Sequence, residues 1–265
     1  MNPDELLDMA GDPRFIPGIY NYCDRWCERC AFTDRCLNYA SSLKRGRKFE
    51  EDFDSDEEFD SDAFVEELTE IFQETIALIR HMAEEEGIDL DTDDPEVEEM
   101  MAREEEARQQ AEEHPLTAAA NRYVGLVNDW FVFGQRELAR DRDVLAEAHL
   151  PAGAAMAPLV DALDVIRWFQ FMISVKIQRA LGSRASEAHE PEFWAEMPKD
   201  SGGTAKIALI AIDRSIGAWG ALLPAFPARQ AATLQLLALL SRLRVELEQE
   251  FPEAWAFVRP GFDEQ

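Results

Sequence analysis

Cys23, Cys27, Cys30 and Cys36 are the only thiols of the 265-residue chain, and all lie in the run Tyr22 to Cys36 with the spacing C-x3-C-x2-C-x5-C. Thiolates crowded into so short a segment repel one another unless a cation neutralises them. Soft sulfur donors select zinc or an iron-sulfur cluster. The spacing therefore points to one metal centre with these four residues as its ligands.

The intervals help to choose between the two cofactors. With Asn21 to Cys30 helical, Cys23, Cys27 and Cys30 fall at i, i+4 and i+7 on one face, rising over roughly 10 Å. Cβ atoms at i and i+4 are about 5–6 Å apart. Four sulfurs around one zinc, each at about 2.3 Å, must approach one another to roughly 3.8 Å, which would strain such a helix. A cubane is larger, so a helix offering three thiolates and a loop returning Cys36 suits a [4Fe-4S] cluster, with zinc as the alternative. Knuckle turns in place of the helix would remove this preference. Zinc ribbons carry two C-x2-C knuckles, and only Cys27 to Cys30 makes one here. Ferredoxin clusters use four cysteines packed this closely, with other intervals and a proline after the last.

Cys23-x3-Cys27-x2-Cys30 resembles the three-cysteine motif of radical S-adenosylmethionine enzymes, over these eight residues. The resemblance implies a cluster with one iron open to the cosubstrate. That family places an aromatic residue before the last cysteine, where this chain has Arg29, and is built on a β/α barrel, for which this chain shows no run of strands. Cys36 is available to fill the open iron position, and the activity is not carried over.

The neighbours suit a cluster. Tyr20, Tyr22, Trp26, Phe32 and Tyr39 can wall off solvent, while Arg25, Arg29 and Arg35 can donate to sulfurs or offset the charge of a thiolate-ligated centre. The same arginines can instead pair with Asp24, Glu28 and Asp34 on a solvated face. Upstream, Asp12 to Gly18 is a turn-rich approach to the cysteines.

The net charge of −28 is concentrated in residues 1–114, which hold 35 acidic and 11 basic residues, or −24. Nucleic-acid binding needs clustered Lys and Arg, so this surface argues against it. The one basic cluster, Lys44 to Lys48, is followed at once by Glu50, Glu51 and Asp52. An acidic face suits a basic protein redox partner instead. The start has no basic n-region with an apolar run behind it. The most apolar stretch, Ile207 to Leu223, contains Asp213 and Arg214, so it reads as a buried helix and the chain as cytoplasmic, with no membrane span.

The elements that must position the cysteines give an all-α fold: a cysteine-rich module over 1–48, an acidic linker over 49–62, and a bundle of about five or six helices with a docked tail over 63–265. Apolar residues recur at three and four from Phe64 through Leu68, Ile71, Phe72, Ile76 and Ile79 to Met82, with Gly87 as the stop. A polar helix follows Asp94-Pro95. Pro115 opens a third, with Tyr123, Val124, Val127, Trp130, Phe131 and Leu138. Pro158 to Gly182 is apolar on most sides and reads as central. A loop over Glu190 to Gly203 leads to helices over Thr204 to Leu223 and Ala228 to Glu250. The aromatic tail, Phe251 to Phe262, should dock on the bundle or cap the cluster. The aspartates of 49–62 and Asp89-x-Asp91-x-Asp93 lack the glycine and glutamate of a calcium loop.

Charges within the apolar helices, Asp164, Arg167, Lys176, Arg179, Lys206, Asp213 and Arg214, need partners, and pairs such as Asp213 with Lys176 or Arg179 are expected. They read either as a polar seam fixing helix register or as a substrate pocket. No histidine has the glutamate of a di-iron Glu-x-x-His pair, and no phosphate loop, G-x-S-x-G turn or H-E-x-x-H pair occurs. Catalytic residues are therefore unassigned. The expectation is a [4Fe-4S] protein of electron transfer or redox sensing, with a zinc-stapled helical adaptor as alternative and a cluster-dependent enzyme working through the seam as a third reading.

Overall fold

A computed structural model describes residues 3–45, 61–88, 95–147, 157–189 and 199–263. Among them are α-helices and short 3-10 turns, and no strand. The all-α expectation holds, and the six helices expected after the cysteines are all present. Two short ones flank the cysteines. Two compact units divide the chain: Met1–Glu98 with Arg259–Gln265, and Glu99–Val258.

In the first unit, α1 (Pro3–Ala10) starts on a proline, whose fixed φ suits the first helical position. Three 3-10 turns follow, Ile19–Tyr22, Cys27–Arg29 and Thr33–Arg35, and then α2 (Leu37–Lys44). The helix considered for Asn21 to Cys30 does not form. Its single-face placement of three thiols, and the choice of cofactor argued from that face, go with it. Local hydrogen bonds explain the break: Asp24 Oδ1 accepts from the Trp26 N–H at 3.1 Å, the Cys27 N–H reaches back to the Arg25 carbonyl at 3.0 Å, and Arg25 has a left-handed φ of 59°. Aspartate competing for nearby backbone donors favours turns over helix.

α3 (Ser61–Glu86) ends as its glycine predicts. Gly87 has φ 69°, and the Ile88 N–H returns to the Ala83 carbonyl at 2.8 Å, the six-to-one bond of a Schellman cap. Its periodic stripe is not the covered face: Leu68, Phe72, Ile76, Ile79 and Met82 are exposed, whereas Ile71, Glu74 and Leu78 are half-buried. Glu74 accepts from Arg45 at 2.9 Å. Of the acidic segment 49–62, Ser61 and Asp62 belong to α3, and the rest lies outside the described residues, as do Asp89 to Asp93 and the Pro151 to Gly153 break.

In the second unit, α4 (Pro95–Glu113, from Glu99) is polar and buries only Ala107 and Ala111. Next come α5 (Pro115–Glu147), α6 (Ala157–His189), α7 (Asp200–Leu222) and α8 (Gln230–Glu250). Each packs on the next and α8 returns to α5, closing a four-helix bundle. The helix submerged most completely is α7, where every residue from Ser201 to Leu209 is buried. On α6, Ile166, Phe169, Ile173 and Ile177 are fully covered at helical spacing, but Phe171 and Val175 face solvent. Small residues are concentrated in that part of α7: Gly202, Gly203, Ala205, Ala208 and Ala211 are all buried.

The stretch read as a loop up to Gly203 is shorter, because α7 begins at Asp200. Glu187 of α6 accepts from both the N–H and the hydroxyl of Ser201, at 2.9 and 2.6 Å, which satisfies the open end of α7. Asp200 in turn accepts from Ser183 and Arg179. These partners lie elsewhere in the chain, so no local pattern announces them. Residues 190–198 lie outside the described residues.

Candidate metal centre

The three 3-10 turns place the cysteines. Cys23 follows the first in extended backbone, Cys27 opens the second, Cys30 closes it with its N–H on the Cys27 carbonyl at 3.1 Å, and Cys36 closes the third. All four thiols are unpaired and half-buried, and all four line one recess of about 320 Å3, open solvent included. Ile19, Tyr20, Trp26, Phe32, Tyr39 and Phe262 form its apolar walls.

Main-chain donors face two of the sulfurs. The Phe32 N–H donates to Cys30 Sγ at 3.4 Å, and the Arg25 N–H favours the thiolate of Cys23. Burial nevertheless pushes the Cys23 thiol up. Cys27 is pushed up to about 11, first by burial and then by the charges of Cys23, Cys36, Glu28 and Cys30 that an anion there would meet. The mutual repulsion records how close the sulfurs are. Without a cation, the Cys23 and Cys27 thiols stay protonated near neutral pH.

Of the neighbours singled out in the sequence, Arg25, Trp26 and Phe32 line the recess. Arg29 stands 3.9 Å from the centroid of the Trp26 ring, a cation-π contact that holds the indole from outside. Arg35 is exposed, and its carbonyl accepts from the Ile16 N–H at 3.0 Å, tying the turn-rich approach to the third turn. Tyr22 is half-buried and is not among the lining residues. Phe262 lines the recess from the far end of the sequence and packs edge-on against Phe32, with centroids 5.0 Å apart. Only the aromatic richness of the tail hinted at it.

Among the described residues no group of three or more His, Cys, Asp or Glu side chains is placed to hold a metal ion.

The charged residues of α6 and α7 have separate partners. Arg179 pairs with Asp200 at 2.7 Å, and Asp213 with Arg244 at 2.6 Å, which replaces the expected pairing of Asp213 with Lys176 or Arg179. Arg167 lies over the Phe131 ring and Arg214 over Phe169. Asp164 and Lys176 are half-buried. Lys206 alone of the seven is buried, and its ammonium donates to the carbonyls of Phe257 at 2.6 Å and Trp255 at 3.3 Å. The bonds of Lys206 hold the tail segment before Val258 to α7.

Comparison of the chain with protein-family models, with curated proteins and with solved structures finds no match.

Proposed function

We propose that Cys23, Cys27, Cys30 and Cys36 hold a [4Fe-4S] cluster and that the protein works in electron transfer or redox sensing. One observation carries this reading: four unpaired thiols open on a single aromatic-walled recess. The apolar walls around the four sulfurs and the softness of thiolate donors suit an iron-sulfur centre. The bound cluster would supply a one-electron couple. Donation from the Phe32 and Arg25 N–H groups to cysteine sulfur would favour its more reduced, more negative state. The aromatic walls limit the access of water, and the acidity of residues 1–114 suits docking of a basic protein redox partner in the cytoplasm, where thiols stay reduced.

A second reading has its own support. The 3-10 turn of Cys27 to Cys30, with an N–H donated to Cys30 Sγ two residues on, is a knuckle-like arrangement that suits zinc in a stapled helical adaptor. Purification without oxygen, metal and sulfide analysis, the visible spectrum and spin resonance of the reduced sample decide between them. Iron with sulfide and a broad brown band supports the cluster; a colourless protein with stoichiometric zinc rejects it. Cys27→Ser should lose the metal and loosen the first unit while the helical circular-dichroism signal of α5 to α8 survives.

A further inference from the structure

The recess is not completed by the cysteine segment. Phe262, carried by the loop Arg259–Asp263, adds a further wall, and the loop is braced internally and meets Phe32, Ile16 and Ile19. Phe262 meets the ring of Phe32 edge-on. Arg259 lies over the Phe262 ring, 5.0 Å from its centroid, and its guanidinium is clasped by Asp263 at 2.8 Å. The Arg259 N–H also donates to Asp263, at 3.0 Å, while the N–H groups of Phe262 and Asp263 return to the Arg259 carbonyl at 3.2 Å. The loop is thus a closed turn with its aromatic ring presented on one side.

The fit against the approach turn is close. Gly261 has φ 74°, and a Cβ there would stand 2.8 Å from Ile16 Cδ1, closer than real Cβ atoms come, and a tight 3.0 Å from Ile19 Cδ1. Ile19 is itself buried and lines the recess. We infer that the loop Arg259–Asp263 is the closing wall of the thiol recess and sets how readily small reagents reach the four sulfurs. Phe262 and its clasp are therefore positioning elements of the site. A thiol reagent reaches the half-buried sulfurs faster when the loop lifts, and in the cluster-bound protein the same wall would slow oxygen. Only the oxygen effect rests on the cluster reading.

The test uses the full-length chain, first metal-free and reduced, with 5,5′-dithiobis(2-nitrobenzoate) as the probe. Phe262→Ala should raise the rate of thiol reaction roughly tenfold, the expected size when a local opening that gates access becomes easier. Asp263→Asn, which keeps the ring and weakens only the clasp, should raise it by a smaller factor, and it decides the matter should Phe262→Ala lose helicity. Parent-like rates in folded variants overturn the wall. After loading with iron and sulfide, the visible band of both variants should bleach faster in air than that of the parent. Failure of any of the three to take up a cluster would count against the cluster reading and leave the thiol rates to judge the wall. A cluster that assembles normally beside unchanged thiol rates would overturn the wall and leave the cluster reading standing.

Discussion

Trp219 Nε1–H donates to the hydroxyl of Tyr123 at 3.0 Å, between two side chains that are wholly buried in the second unit. Ser215 Oγ lies near enough to act on that phenol but outside hydrogen-bond geometry. Burial outweighs both neighbours and pushes Tyr123 up to about 12. An unfolded tyrosine ionises near pH 10, so the folded chain keeps this proton where the unfolded chain has lost it. Its contribution to stability is whole below about pH 10 and falls by about 3 kcal/mol as the pH climbs to about 12. An alkaline absorbance titration should show one of the four tyrosines ionising last and Tyr123→Phe should delete that step; four indistinguishable ionisations would refute the assignment.

Lys206 places an ammonium in a buried position on α7 with two tail carbonyls as acceptors. Lys206→Met keeps the apolar stem and strands those acceptors, so it should cost about 1–3 kcal/mol in denaturant unfolding. Hydrogen exchange in the stretch Trp255 to Val258 should accelerate more than elsewhere. Uniform acceleration would mean that the lysine stabilises the unit without fastening the tail.

Two carboxylates at α7 offer a contrast, Glu187 of α6 at its start and Asp213 in its middle. Glu187 is buried and satisfies the Ser201 N–H and hydroxyl, so Glu187→Ala should cost about 2–3 kcal/mol, the range for bonds to a charged group. Asp213 and Arg244 form a shorter-looking ion pair at 2.6 Å, but both are more than a third exposed in side chain or close to it, so Asp213→Asn should cost less than about 1 kcal/mol and the difference should shrink in salt. Equal costs measured by urea titration would show that burial is not what separates them.

Metal loading should release protons. The Cys27 thiol, held up to about 11, is protonated at pH 8, and a metal takes it only as thiolate. Apparent affinity should therefore rise with pH, by up to roughly tenfold per unit from this thiol alone. In the metal-free chain the same shift acts on stability in the opposite sense: it is fully present below about pH 8.5, where an unfolded thiol begins to ionise, and is lost as the pH rises through about 11. Zinc titration in buffers of differing ionisation enthalpy counts the protons; none released at pH 8 would contradict the raised value.

The helices were legible because their signals are local. The three-and-four recurrence of Leu68, Ile71 and Phe72 with a stop at Gly87, and the prolines that open α4 and α5, mark elements without help from the rest of the chain. The four sulfurs sharing one recess also followed from their short separation. The backbone between them did not, since Asp24 capturing the Trp26 N–H and the left-handed Arg25 turn a segment with helical spacing into short turns. The start of α7 at Asp200 was hidden for another reason: its cap, Glu187, is supplied by a different helix. Phe262 in the wall of the recess likewise needs the far end of the chain brought back to Phe32. The stripe of α3 shows that periodicity marks a helix without saying which face is covered, because Phe72 and Ile76 meet solvent.

Submersion of α7 from Ser201 to Leu209 also governs how this chain breathes. That first half of α7 has no partial route into water, so the amides of Ser201 to Leu209 should exchange only when the whole second unit opens, and their slowest rates read the free energy of that opening directly. The outward edge of α6, with Phe171 and Val175 in solvent, has no such constraint and should flicker first.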